Sequence, residues 1–158
     1  MTAPVTASPV VATLRDAIAA TLVGPLSDVA LLDAGDLTQA YSTRSITLPG
    51  SWDPDTEMLS SADAITAETV ESGAGRSMME TTVVSGVIYA GSGDVDLELH
   101  RASANAILTA IRDAVRSVTD VGGSSAMARI VSQSWAQAVD ENGSGVVLAF
   151  EVSVAVLL

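Results

Sequence analysis

The chain has a single histidine, His100, and no cysteine. Histidine titrates nearest neutral pH, so a proton shuttle, a serine triad or a histidine metal site would each have to be built around this one residue. Its surroundings read differently. Leu97, Ala104, Ile107, Ile111 and Val118 recur with His100 at helical spacing, reinforced by Leu108 and Val115. That places His100 on the apolar stripe of a long helix, where a packed or hydrogen-bonded imidazole is the expected role. The lack of cysteine excludes thiolate metal sites and a disulfide framework. Two carboxylate groups remain, Asp53 with Asp55, and Asp94 with Asp96 and Glu98. Neither has the fuller oxygen loop that calcium sites require, and the second suits a helix N-terminus. Glycines cluster at "GAGRS" from Gly73 to Ser77 and at "GSGD" from Gly91 to Asp94. The second lies between a strand and a helix, where a phosphate could meet helix N–H groups, but acids occupy that end and no Gly-Lys-Ser/Thr follows. These residues lead to no catalytic set, no cofactor and no metal, and the expected class is a non-enzymatic protein.

Charge limits the partners. Seven arginines, no lysine and 19 acids give a formal net charge of −12. The arginines are scattered rather than striped, so neither nucleic acid nor an anionic membrane surface is an expected ligand. The N-terminal "MTAPVTASPVVATLRDAIAATLVGP" has no cation before its apolar residues and is interrupted by Arg15 and Asp16, unlike an export signal. No stretch has the 18 or more uncharged apolar residues of a membrane span.

A chain of 158 residues with few aromatics is expected to form one α+β domain over 1–158, its core made of Val, Ile, Leu and Ala. Ser8-Pro9 followed by Val11, Leu14, Ile18 and Leu22 predicts a helix over 8–23, stopped by Gly24-Pro25. Val29 to Leu32 and Arg44 to Leu48 read as short strands, and Thr81 to Tyr89, β-branched and apolar on both faces, as a central strand. The segment "DVDLELH" alternates like a strand, but its continuation favours a helix over 94–118, with acids at its start and Arg112 and Arg116 near its end. Residues 128–157 form a C-terminal hairpin through Asn142-Gly143. In the last strand Val146, Leu148, Phe150, Val152, Val154 and Val156 share one face. Phe150 and Val152 should be buried, and because the other face is also largely apolar, the fold or another copy of the chain must cover it. The sheet should be antiparallel or mixed, covered by two helices.

Residues 51–77 stand apart as an acidic excursion, a long loop or hairpin within which only Ala64 to Glu71 resembles a strand. Trp52, Met58, Leu59, Met78 and Met79 lie in or beside it and Arg76 near its tip. Exposed Trp and Met are adaptable contact residues, so these six are the candidate interface, expected to be mobile in a free subunit and ordered against a neighbour.

The order of elements, with "METTVVSGVIYAGSGDVDLELHRASANAILTAIRDAV", then "DVGG", a strand bearing Trp135, and "DENGSGVVLAFEVSV", resembles the tail-terminator (tail-completion) proteins of long, non-contractile-tailed bacteriophages. The resemblance spans most of the chain and is best from Glu80 to Val154. It rests on element order and patterning, without a catalytic signature. It implies a small α+β subunit forming a hexameric ring on the last ring of the tail tube, where it stops tube growth and presents the surface for head joining. The implied partners are further copies of itself, the tail tube protein and a head-completion or neck protein. The implied location is the tail-neck region of the virion, assembled in the host cytoplasm, with DNA passing through an acidic lumen without specific binding. Two other readings stand beside it: a different neck component, such as a head-closure or adaptor protein, and a small enzyme using His100.

Overall fold

The computed structural model describes residues 7–32, 44–53, 55, 58–60, 64–72, 77–92, 96–140 and 143–157. Its spine is a pair of long strands. Strand β6 (Ser77–Ser92) runs antiparallel to β9 (Gly143–Leu157) without a break from Met79 opposite Leu157 to Ser92 opposite Ser144. Strand β8 (Ser124–Asp140) lies on the far side of β9, and the two-residue β7 (Asp120–Val121) caps its beginning. The other edge of β6 is shared. Its first half takes β5 (Ile65–Ser72), and its second half takes β2 (Ser45–Thr47), beside which β1 (Ala30–Leu32) lies parallel. The fold is therefore α+β with a mixed sheet, in the order β1-β2-β6-β9-β8-β7 and with β5 on β6.

Two helices cover one face. Helix α1 (Ala7–Ala19) buries Val10, Leu14 and Ile18, and α2 (Leu97–Arg116) buries Ala104, Ile107, Leu108, Ile111 and Val115. Both stripes follow the helical period and meet Val84, Ile88, Leu148, Phe150, Val152, Val154 and Val156 of the sheet in one core. The alternation of β9 is realised as expected, with Phe150 and Val152 at 1% and 0% exposure. Phe150 is the chain's one phenylalanine, and Gly86 is its register partner. A Cβ at Gly86 would lie 2.4 Å from Phe150 Cζ and 2.9 Å from Leu48 Cδ1, so the ring occupies the space this glycine leaves.

Several boundaries differ from the sequence reading. The first helix ends at Ala19 rather than 23, because the Thr21 hydroxyl donates to Ile18 O and Gly24, with φ at +59°, opens a 3-10 turn over Gly24–Leu26. It begins at Ala7, so Ser8 is inside the helix and Pro9 sits in its first turn, where a missing N–H is harmless. The second helix spans Leu97–Arg116 rather than 94–118: the Asp96 carboxylate accepts from Leu99 N at 3.1 Å, fixing the start, and Ser117 closes the end. The hairpin of 128–157 is longer, beginning at Ser124, and its strands pair as far as Asp140 opposite Gly143, so Gly143 belongs to β9; Asn142 lies outside the described residues. The excursion of 51–77 is largely sheet. Strands β3 (Ser51–Asp53) and β4 (Met58–Ser60) form a hairpin, and β5, which carries the β-branched Ile65, Thr66, Thr69 and Val70, pairs with β6 in the main sheet.

Arginines hold the short strands. Arg15, which interrupts the apolar stripe of α1, donates through Nη1 to Leu32 O at 2.8 Å and to Leu48 O, and through Nη2 to Leu31 O at 3.4 Å. It thereby satisfies carbonyls where β1 and β2 end. Arg44 bridges Asp28, Pro25 O at 2.6 Å and Ser103 Oγ at 3.1 Å, tying the loop before β1 to α2. The hydrogen bond from Arg44, and then its charge, hold the Asp28 carboxyl below the usual carboxylate range.

The tightest contact gives a test. Gly86→Ala is expected to lower stability by about 1–3 kcal/mol through overpacking, and the loss should shrink when Phe150→Leu is added. Chemical denaturation of the two single variants and the double variant measures this; additive effects would mean that the glycine does not make room for the ring.

Candidate assembly surface

Among the described residues, the chemical candidates named from the sequence are held separately, each by its own neighbours. His100 is buried on α2 at 5% exposure and already engaged in a contact of its own. Asp96 caps α2, and Asp53 accepts from Asp55 N at 2.9 Å within the β3–β4 turn. Asp94 and the "GAGRS" glycines lie outside the described residues. No group of three or more potential metal ligands occurs among the described residues. No described helix is long and apolar enough to cross a membrane.

The sequence reading did not single out Glu80. It is 6% exposed on the helix side of β6, opposite Val156, and its Oε1 has no hydrogen-bond partner. Thr82, next on the same face, is fully buried with an equally unpartnered hydroxyl. The signal was parity: Glu80, Thr82, Val84 and Ile88 share the inward face of one strand. Each unmet polar group costs about 1–3 kcal/mol.

The sheet face away from the helices is the more informative side. Register places Ala30, Leu32, Thr47, Val87, Tyr89, Val147 and Ala136 together near one end, where Leu32, Val87 and Val147 form a second small core. Trp52 of β3 packs on this cluster as a half-buried lid, with its Nε1–H buried and unpartnered. Beside it opens a half-enclosed cavity of about 190 Å³, lined by Ser51, Trp52, Ser85, Ser132, Ser134 and Glu151 among others. The Ser132 hydroxyl donates to Glu151 Oε1 there at 2.7 Å.

Farther along, no described element covers this face. Met79 opposite Leu157, and Met127 opposite Ala155, stand on adjacent strands at 38%, 46% and 72% exposure for Met79, Leu157 and Met127. The expected interface residues are thus divided. Trp52 belongs to the β3–β4 hairpin, with Leu59 its register partner and Met58 opposite Asp53, whereas Met78 and Met79 lie at the start of β6. Arg76 lies outside the described residues. Met127 and Leu157 are exposed apolar residues of this face that the sequence reading did not name; Met127 lies one residue outside the strand expected from Ala128.

A bulge decides which side chains of β8 face where. Ile130 pairs with Val152 and Ser132 with Glu151, leaving Val131 as the extra residue. Before it, Ala126, Ala128 and Ile130 face the helices; after it Gln133, Trp135 and Gln137 do. Gln137 accepts from Arg101 Nε at 2.8 Å, and Gln133 from Arg112 Nη2 at 3.5 Å, so Trp135, 42% exposed, stands between two polar clasps from α2.

No protein-family model matches this chain, and a search of curated proteins finds no matching sequence.

The uncovered patch makes a separable prediction. Met127→Glu is expected to change stability by less than about 0.5 kcal/mol, since the side chain is mostly solvated, while reducing self-association seen by analytical ultracentrifugation. A large loss of stability would place Met127 in the monomer's core, and unchanged association would remove it from the contact.

Proposed function

We propose that the chain is a structural subunit that assembles with copies of itself into a closed ring, and that its task is to end a phage tail tube at the head-proximal side and present the surface for head joining. The observation that carries this reading is the uncovered sheet face, on which Met79, Met127 and Leu157 lie side by side on three neighbouring strands. Contiguous exposed apolar surface of this kind marks a protein contact. A ring needs two different surfaces on each subunit, one for each neighbour, and a further one for the tube below.

The charge supports the same role. With 19 acids against seven arginines, a ring of such subunits repels a polyanion, and DNA crossing its lumen would pass without being held. The partners in this reading are the tube protein and a neck protein, the setting is the virion, and six copies is the stoichiometry that the resemblance to tail terminators implies.

Loss of the protein in the virus that encodes it is expected to give tails of uncontrolled length and filled heads without tails, seen by electron microscopy. Unjoined tails from the intact virus should carry the protein at one tip. Tails of normal length joined to heads in its absence would contradict the proposal, and its presence on filled heads instead of tail tips would make it a head-side neck component.

A further inference from the structure

The main sheet has two long edges without a partner strand among the described residues: β8 from Met127 onward, and the outer side of β5. Such edges are templates for another strand. We infer that the ring closes by strand pairing, β8 of one copy adding to β5 of the next, so that the sheets of neighbouring subunits become continuous. This inference rests on the ring reading given above.

Direction, level and charge agree. The strands between the two edges run β5, β6, β9, β8, each antiparallel to the next. A second copy placed beside the first in the same orientation therefore brings its β5 antiparallel to β8, the pairing with the better hydrogen-bond geometry. The two edges overlap at one level over four residues, Ile65 to Glu68 beside Ile130 to Met127, past which β7 already occupies the lane along β8. Ile65 is in line with Val84, Val152 and Ile130, and Glu68 with Thr81, Ala155 and Met127. From Ser124 to Ala138, β8 carries Arg129 and no acid, whereas β5 carries Glu68 and Glu71 and no cation. Arg129 is exposed, and no ion pair is formed by it among the described residues. Joining unlike edges sets Glu68 one diagonal step from Arg129. Joining two β8 edges, or two β5 edges, about a two-fold axis would bring together edges of one charge sign and offer no such pair.

The free hydrogen-bonding groups can be assigned. Ala126 N donates to Thr119 O at 3.0 Å, away from β9, and alternate residues of a strand direct their backbone groups to the same edge. The N–H groups of Ala128 and Ile130 therefore face the open edge, while those of Met127 and Arg129 face β9.

The test uses the full chain, with assembly followed by native mass spectrometry and cooperative unfolding followed for each variant. Arg129→Glu and Glu68→Arg should each weaken association by about fivefold per junction, and the double swap should restore it. Ala128→Pro removes an edge N–H at a position whose side chain lies in the core, and the fraction that unfolds cooperatively should stay monomeric. If rings form but the single charge variants assemble like the wild type, or lose association that the double swap does not restore, the edge pairing is wrong and the ring reading stands. A wild-type dimer that does not grow would point to two-fold edge pairing and overturn the inference. A wild-type chain that stays monomeric even with its tube would overturn the ring reading itself.

Discussion

The ladder between β6 and β9 is the constraint on which the rest of the molecule depends. These are strands of 16 and 15 residues, about 50 Å long at the usual rise, and they remain in register along nearly their whole length. Helix α2, with 20 residues, reaches about 30 Å. One helix cannot cover such a strand, and α1, the 3-10 turn and β7 fill the remainder of the inner face. The register also sets the closest contact in the core, Gly86 against Phe150, which a one-residue slip would destroy by turning every inward side chain outward.

Cover is unequal because the inner face takes nearly all of it. Among the described residues the outer face is covered by the β3–β4 hairpin alone, which seats Trp52 over Leu32, Val87 and Val147 and leaves Met79, Met127 and Leu157 exposed. The same economy shows in the arginines. Arg15 and Arg44 satisfy backbone and loop groups of the short strands, and Arg101 and Arg112 fasten α2 to β8. Arg129 is left exposed on the strand edge, in a chain whose charge is otherwise strongly acidic.

Much of this was legible in the residues. Period-two patterning gave the inward face of β9, and helical spacing placed His100 inside α2 and overruled the strand-like "DVDLELH". The illegible parts have identifiable causes. The bulge at Val131 reverses parity within β8, so no single alternation describes that strand. Glu80 is a carboxylate on a buried face, where composition argues for a solvated loop. Ala64 to Glu71 reads as the strand-like part of the excursion, but its partner and register in the main sheet depend on β6 and are not stated by its own residues. The candidate contact residues were recognised by type in the cases of Trp52 and Met79. Their division between two ends of one sheet face depends on register, which only the folded sheet defines.

The most direct measurement is hydrogen exchange along β8 in the free and the assembled protein. The account predicts that in the free subunit the amides of Ala128 and Ile130 exchange quickly while those of Met127 and Arg129, bonded to β9, are protected, and that assembly protects all four. Unchanged exchange at Ala128 and Ile130 in assembled protein would contradict it, because the edge of the sheet would then remain open where a neighbouring subunit should complete it.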